Sequence, residues 1–256
     1  MKILINYKWV LDETDITVDQ EKRIMDTSRA KYKISEIDRN AIELGSTLKE
    51  KLGCDIISLT VGKGVKSSLK DVLSRGIDKA YYIESETLES SDTARILAAA
   101  IKKIGDVDLV ICGEGSSDNY SQQVGPRLAG LLGYQLVTYA SEVSPEDSDF
   151  KIVRKLEDEI ETVKAKTPLV LTVVSEINEP KIPGMKQILS ARKKPSEELK
   201  IEDLGLSPSE RVSPVAVVKE GASIMDRKQV KLNNGDTSIK EAAVKLVQFL
   251  RNDKVI

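Results

Sequence analysis

Residues 110–125 read Val-Ile-Cys-Gly-Glu-Gly-Ser-Ser-Asp-Asn-Tyr-Ser-Gln-Gln-Val-Gly. An apolar run ends at Cys112, Gly113 opens a polar stretch, and a helical pattern begins near Gln122 and continues to Leu132. This profile is typical of a buried parallel strand that leads through a polar loop into a helix. The stretch therefore predicts an α/β fold built on a parallel sheet.

The same loop predicts a site for an anion. Ligands of open α/β sheets bind outside the carboxyl ends of the strands, and the unpaired N–H groups and positive dipole of a helix start suit a phosphate. Gly113 and Gly115 would let the backbone approach a ligand, and further hydrogen bonds can come from Ser116, Ser117, Ser121 and Gln123. The loop indicates a nucleotide-shaped anion and names no reaction. The alternative is an ordinary polar connection between a strand and a helix.

Composition limits the chemistry of this chain of 256 residues. Charged residues make up 31% and nearly cancel to a net charge of -2, so the basic footprint of a nucleic-acid binder is missing. The sequence has no histidine, which excludes Ser-His-Asp triads, Cys-His dyads and histidine-bearing metal sites. We therefore identify no catalytic residue and no metal site. Cys54 and Cys112 are expected to be buried, reduced thiols.

The amino-terminal residues give no targeting signal. The first eight residues are interrupted by Asn6 and Lys8, unlike the apolar region of a signal peptide. No apolar run approaches the ~18 residues of a membrane span. We expect a cytoplasmic chain.

Strands and helices alternate over the first 140 residues. Residues 12–33 indicate a long loop or hairpin. The predicted strands are Lys2–Val10, Cys54–Gly62, Lys79–Glu84, Asp108–Cys112 and Gln135–Val143. The predicted helices are Asp38–Leu52, Ser67–Arg75, Thr93–Ile104 and 122–132. Five strands with intervening helices predict a doubly wound, mostly parallel sheet.

The pattern changes after Ser144. Antiparallel strands are predicted at 150–154, 160–165 and 169–174, an extended arm at 176–195, a strand at 215–219 and an amphipathic helix at 238–251. A structureless segment of this length is uncommon in a single domain, so the arm is expected to wrap a partner subunit. The predicted organisation is an α/β nucleotide-binding domain at 1–190, with a hairpin extension at about 150–175 and a partner-recognition loop at about 178–195, and a carboxy-terminal arm and helix at 196–256.

Two further motifs have ordinary explanations. The stretch Gly62-Lys-Gly-Val-Lys-Ser-Ser68 lacks the spacing of a phosphate-binding P-loop and indicates a helix-capping turn. The acidic residues from Glu157 to Glu161 could suggest a carboxylate pair for acid-base chemistry, but a solvated hairpin turn is the favoured interpretation.

Ordered blocks along the chain resemble a known family. They are Tyr7-Lys-Trp-Val-Leu-Asp12, Ile34-Ser-Glu-Ile-Asp-Arg-Asn-Ala-Ile-Glu43, Asp71-Val-Leu-Ser-Arg-Gly76, Cys112-Gly-Glu-Gly-Ser-Ser-Asp118 with Gln122-Gln-Val-Gly125, Val153-Arg-Lys-Leu-Glu-Asp-Glu-Ile-Glu161, Asn178-Glu-Pro180 and Ala191-Arg-Lys-Lys-Pro195. In these blocks the chain is similar to the β subunit of the electron transfer flavoproteins, in the FixA-like branch. The resemblance implies a Rossmann-like fold of the adenine nucleotide α-hydrolase type.

The resemblance also implies a nucleotide pocket. By motif, its residues are Asn6, Ser35, Glu36, Ile37, Asp38, Val61, Gly113, Glu114, Gly115, Ser116, Ser117, Asp118, Ser121, Gln122, Gln123 and Val124. The family's partner-recognition loop places an apolar docking anchor at Met185, with Ile182 beside it.

The implied function is electron transfer in a heterodimer with an α subunit that carries its own FAD. The pocket of this chain would hold FAD in electron-bifurcating members, where NADH delivers hydride and electrons pass to the α-subunit FAD and to an acceptor such as ferredoxin. It would hold AMP in non-bifurcating members. The dehydrogenase partner would be an acyl-CoA or related dehydrogenase. A stand-alone ATP-binding α/β protein and a structural scaffold with an empty pocket are the alternatives.

Overall fold

A nine-stranded sheet with helices on both faces forms the core of the computed structural model. The chain divides into two units, one of residues 1–17 and 26–220 and one of residues 18–25 and 221–256. The structure describes residues 1–19, 21–86, 89–147, 149–207, 218, 221–222, 230–233, 235 and 237–256.

The elements of the described residues are numbered here in chain order. The helices are α1 (Glu36–Leu52), α2 (Leu69–Ser74), α3 (Ser90–Ile104), α4 (Val124–Leu132), α5 (Met185–Ala191) and α6 (Ile239–Asn252). The strands are β1 (Lys2–Asn6), β2 (Trp9–Leu11), β3 (Thr17–Asp19), β4 (Ile24–Asp26), β5 (Tyr32–Ile34), β6 (Asp55–Gly62), β7 (Lys79–Glu84), β8 (Leu109–Gly113), β9 (Gln135–Glu146), β10 (Asp149–Lys155), β11 (Ile160–Ala165), β12 (Leu169–Val173) and β13 (Ser196–Glu198).

Most of the large sheet is parallel. Its strands lie in the order β11-β10-β9-β12-β8-β1-β6-β7-β13. The run from β9 to β13 is parallel throughout, and β10 and β11 extend it as an antiparallel hairpin. The prediction of a doubly wound, mostly parallel sheet with a hairpin extension is confirmed. The carboxyl ends of the parallel strands meet at one edge.

Alternation along the strands produces two apolar layers. Ile3 and Ile5 of β1 pack with α1 and α2, whereas Leu4 packs with α3 and α4, because successive side chains of a strand point to opposite faces. Strands buried on both faces appear in the sequence as continuous apolar runs, as β1 and β8 do.

Sequence patterns locate several elements to within a few residues. β7 has both of its predicted ends, and α1 and α4 each begin two residues from the predicted position. Both helices end at a glycine in the left-handed region, Gly53 with φ 61° and Gly133 with φ 71°. Glycine adopts this conformation without the steric cost that other residues incur.

The prediction of one strand from Lys2 to Val10 is wrong. β1 ends at Asn6, and Trp9 begins β2, which pairs with β5 in a separate two-stranded sheet. Just beyond β1, the backbone N–H of Lys8 donates to the Asp38 carboxylate and not to a neighbouring strand. The following residues include the short β3–β4 pair, so a hairpin is present within 12–33.

The prediction of an antiparallel strand at 169–174 is also wrong. β12 lies between β8 and β9 and is parallel to both. All five of its residues are buried, as expected for a strand covered on both faces. The chain returns from the hairpin to the centre of the sheet, which the local sequence does not indicate.

The predicted extended arm at 176–195 contains a helix. α5 is anchored by the buried Ala191. Residues 196–198, predicted to begin the carboxy-terminal arm, instead form β13 and pair with β7, and Leu199 is buried. A seven-residue helix and a polar edge strand are too short to give a clear periodic signal.

α6 belongs to the second unit and matches its predicted range to within one residue. Ser238 and Glu241 form a capping box at its start. The strand predicted at 215–219 lies outside the described residues, apart from residue 218. Within the described part of the chain, no helix has the length and apolar character needed to cross a bilayer.

Candidate functional site

Asp38, in the first turn of α1, joins the ends of two strands. Its Oδ2 accepts a hydrogen bond from the N–H of Lys8 at 2.8 Å, and its Oδ1 accepts one from the N–H of Gly113 at 2.9 Å. Burial raises the pKa of the Asp38 carboxyl to about 7, against the opposing effect of these two N–H donors. One buried side chain thus fixes the beginning of the loop that follows β8.

Two further contacts hold this loop against the start of α1. The buried Ser35 hydroxyl accepts from the N–H of Ser117 at 3.2 Å. The Lys8 ammonium forms an ion pair with Asp118 at 2.6 Å. Burial acts to raise the pKa of Asp118, but hydrogen bonds from Lys8 and Ser116 outweigh it, so the pKa lies below its usual value. The loop is therefore tied to β1 and α1 at several points.

The loop has an unusual backbone. Tyr120 has φ 44° and Gln122 has φ 57°, in the left-handed region that non-glycine residues rarely adopt. The Tyr120 hydroxyl donates to Glu114 at 2.5 Å, and this hydrogen bond raises the pKa of Tyr120 to about 12. The Ser121 hydroxyl meets the Ser90 hydroxyl of α3 at 3.0 Å. Strained backbone persists only where its surroundings enforce it, and it clusters at binding sites.

The loop glycines are required by packing within the protein. A Cβ on Gly113 would lie 2.8 Å from Oδ1 of Asp38, and one on Gly115 would lie 2.7 Å from Cδ2 of Tyr120. The space beside these glycines is therefore occupied by side chains of the protein, those of Asp38 and Tyr120. Approach of a ligand to the same backbone remains a prediction.

Unused donors remain in the loop and suit an anion. Among the described residues, the backbone N–H groups of Ser121, Gln122 and Gln123 have no acceptor. The Ser117 hydroxyl is buried and has no hydrogen-bond partner among these residues. Buried polar groups are normally paired, and the start of α4 adds the positive end of a helix dipole. A nucleotide phosphate fits this donor set.

Several other predicted pocket residues lie at the same edge of the sheet. Asn6 ends β1 and is buried. Val61 lies near the end of the neighbouring strand β6. The Ile37 side chain is 3.0 Å from where a Cβ of Gly113 would stand, so it borders the loop.

The remaining predicted pocket residues have other contacts. Ser116 donates to Asp118 at 2.5 Å, Gln123 accepts from the guanidinium of Arg127 at 2.8 Å, and Val124 begins α4 and packs against the core. The Glu36 side chain is 59% exposed and forms an ion pair with Lys33 at 3.1 Å.

Comparison with protein families gives a match that covers most of this architecture. Residues 23–204, more than half of the chain, match the electron transfer flavoprotein domain. The chain belongs to the electron transfer flavoprotein domain family. The family functions in electron transfer and is associated with flavin. The matched range includes α1, the strands from β6 to β13, the loop after β8 and α5.

Sequence reasoning missed Lys8 of this electron transfer flavoprotein domain protein. Lys8 contributes its backbone N–H to Asp38 and its ammonium to Asp118. The second contact joins residues 110 positions apart, and nothing in the local sequence indicates it. The predicted strand Lys2–Val10 ran through Lys8, so no strand end marked this residue in the sequence.

The stretch Gly62–Ser68, which was compared with a P-loop, binds a carboxylate side chain of the protein itself. The N–H groups of Gly64 and Lys66 both donate to the Glu84 carboxylate at 2.9 Å. Residues 65–68 form a short 3-10 turn that leads into α2. The interpretation as a capping turn rather than a P-loop agrees with this arrangement.

The predicted partner-recognition loop is fixed at its base and exposed at its tip. The Asn40 amide donates to the carbonyls of Ser175 and Asn178 at 2.9 and 2.7 Å. The Lys194 ammonium donates to the carbonyls of Leu73, in α2, and Ile77, which follows it. Met185 is 73% exposed and Ile182 is 93% exposed, which excludes packing of Met185 against its own sheet.

Proposed function

We propose that this chain is the β-type subunit of a heterodimeric electron transfer flavoprotein of the FixA-like branch. FAD occupies the pocket beside Gly113, and the chain works with an α subunit whose own FAD exchanges electrons with an acyl-CoA or related dehydrogenase. The location is the cytoplasm.

The main support for this proposal is that the family match includes a loop with unpaired hydrogen-bond donors. The electron transfer flavoprotein domain match spans the loop after β8, and that loop offers free N–H donors next to the buried, unpaired Ser117 hydroxyl. Asp38 and Lys8 tie the loop to the start of α1 and to β1, and a loop held by the protein's own contacts needs little ordering on binding.

A flavin in this pocket would supply hydride chemistry with NADH and single-electron chemistry with the α-subunit flavin and an acceptor such as ferredoxin. The protein's part is to bind and orient it. The N–H groups of 121–123 and the Ser117 hydroxyl would hold phosphate oxygens, and Asn6 would border the adenosine half. AMP in the same pocket is the non-bifurcating alternative.

The exposed tip of the recognition loop supports an encounter with a second protein. Three large apolar side chains are exposed there: Ile182, Met185 and Leu189 at 93%, 73% and 54%. Around them Lys186, Arg192 and Lys193 form no ion pair with any described residue. An apolar anchor with cations around it suits a dehydrogenase pocket with an acidic rim.

The test is the nucleotide content of the complex. The chain is co-expressed with its candidate α subunit, purified as a heterodimer and denatured, and the released nucleotides are measured by chromatography. Two FAD per heterodimer supports the bifurcating form, and one FAD with one AMP supports the non-bifurcating form. A complex that holds no nucleotide attributable to this chain, or bound ATP with no α partner, contradicts the proposal.

A further inference from the structure

Tyr139, in β9, has a backbone conformation that its residue type rarely adopts. Its φ is 58°, and for a bulky side chain a positive φ is an outlier that costs free energy. The register between β9 and β12 shifts at this point, and the N–H of Tyr139 donates to the Thr172 hydroxyl at 3.2 Å. Bulges of this kind redirect a side chain and occur often beside active sites.

A chain of short contacts links Tyr139 to the nucleotide loop. The neighbouring Ala140 carbonyl accepts from the N–H of Val174 at 3.1 Å, and the Val173 carbonyl accepts from the N–H of Glu114 at 2.9 Å. Glu114 in turn holds the hydroxyl of Tyr120. These hydrogen bonds place the backbone of Tyr139 beside the segment that holds Tyr120. Two residues with positive φ, Tyr139 in β9 and Tyr120 in the loop after β8, therefore lie on neighbouring segments.

This place lies on the far side of the loop from the adenosine end of the pocket. In the sheet order, Asn6 and Val61 lie on β1 and β6, whereas Tyr139 lies on β9, with β12 and β8 between. From β6 to β9 there are four strand spacings, roughly 19 Å at the usual interstrand distance. A mononucleotide with its adenosine at β6 covers only part of this span, whereas a dinucleotide is long enough to cover it.

We propose that Tyr120 and Tyr139 form the seat for the second flat ring of a dinucleotide whose adenosine half lies in the pocket beside Gly113. The proposal rests on the nucleotide pocket of the proposed function and names the residues that distinguish a dinucleotide from a mononucleotide. Tyrosine rings stack on flat heterocycles, and Tyr120 is 49% exposed. Glycine would fit the backbone at position 139 better than tyrosine does. Stacking on a ligand ring would explain why a tyrosine is present there.

The experiment uses variants that remove the ring but accept the backbone. Tyr139→Gly and Tyr139→Asn both tolerate the left-handed conformation, and Tyr139→Phe keeps the ring. Asp106→Gly is the matched control, because Asp106 also has a positive φ, 53°, away from the loop. In the full heterodimer, unlabelled FAD and AMP each compete against a fluorescent AMP analogue, which reports on this pocket whatever the α-subunit flavin does.

We expect Tyr139→Gly and Tyr139→Asn to raise the dissociation constant for FAD about tenfold, within the range for loss of one stacking contact. AMP affinity stays unchanged, Tyr139→Phe retains FAD affinity, and Asp106→Gly changes neither. Equal losses for AMP and FAD, or no loss, overturn the seat. Wild-type binding of AMP without FAD overturns the seat while the nucleotide pocket stands. If the analogue does not bind at all, the proposed function itself fails.

Discussion

Burial and hydrogen bonding act in opposite directions on the carboxyl of Asp38. Its two oxygens receive backbone N–H groups, which favour the charged form, but burial dominates and raises the pKa to about 7. Because the Asp38 carboxylate accepts the N–H of Gly113, protonation of Asp38 alters a contact that fixes the loop after β8. The buried Asp38 carboxyl lies where β1, α1 and β8 are joined.

The first prediction concerns this carboxyl. Because the folded pKa lies above the unfolded value of 3.8, the native state binds the proton more tightly. The stabilising contribution is full below pH ~4 and is lost as pH rises to about 7. Measured by urea unfolding from pH 4 to 8, the stability of the wild type relative to Asp38→Asn should fall across this window, by at most about 4 kcal/mol. Parallel profiles for the two proteins would contradict the shift.

The second prediction compares two glycines. In Gly113→Ala the new Cβ meets Asp38 and Ile37 at 2.8 and 3.0 Å, so the loop must move. We expect a loss of about 1–3 kcal/mol in unfolding free energy, as for an overpacked site, together with loss of bound nucleotide. Gly130→Ala is the control: it lies in α4 with no atom within 4 Å of its Cβ position. Alanine there should stabilise by about 0.5–1 kcal/mol. Equal effects at both positions would refute the packing argument.

At the scale of elements, most correct predictions came from the periodicity of apolar residues and from the glycines that end helices. α1 and α3 are amphipathic and end at Gly53 and Gly105, so their positions follow from local sequence. β12 could not be placed, because its apolar run does not reveal which strands are its neighbours. α5 is seven residues long, too short for a helical pattern to be distinguished from an irregular loop.

The third prediction tests α5 as a docking element. Met185 is its first residue and is 73% exposed, so Met185→Ala removes little packing within the chain. If Met185 is an interface hot spot, truncation costs about 2 kcal/mol. We expect the KM of the heterodimer for its dehydrogenase partner to rise roughly thirtyfold, with an unchanged melting temperature and nucleotide content.

Leu52→Ala is the control for this variant. Leu52 is an exposed apolar residue at the end of α1, 38% accessible, and its truncation should leave the KM for the dehydrogenase unchanged. The docking role is wrong if Met185→Ala lowers the melting temperature by many degrees while partner kinetics stay as in the wild type.

At the scale of the whole molecule, the residues at the edge of the sheet could be predicted from the sequence. The hydrogen bonds and ion pairs between them could not. Strand ends and helix starts placed Asp38, Gly113 and Ser117 at one edge, in agreement with the contacts observed. The bond from Gly113 to Asp38 spans 75 residues and that from Lys8 to Asp118 spans 110. No local pattern encodes which polar residues meet over such separations, so Lys8 and Tyr139 were not identified.

The two units differ in how much of their apolar surface is covered. The first unit contains two buried apolar layers, one on each face of the sheet. In the second unit, α6 has no buried residue, and its apolar side chains are exposed: Ile239, Val244, Leu246, Val247 and Phe249 at 83%, 52%, 47%, 41% and 47%. Exposed apolar surface of this kind marks an interaction site.

The last prediction is that α6 becomes stable only in the heterodimer. An isolated helix of 14 residues is marginal in water even with its capping box, so its stability must come from a surface that covers the apolar side chains. In amide hydrogen exchange, α6 should exchange rapidly in the chain alone and slowly in the complex with the α subunit. α1, whose Leu48 is fully buried, should be protected in both and serves as the internal control. Strong protection of α6 in the chain alone would mean that the chain covers this helix itself and needs no partner for it.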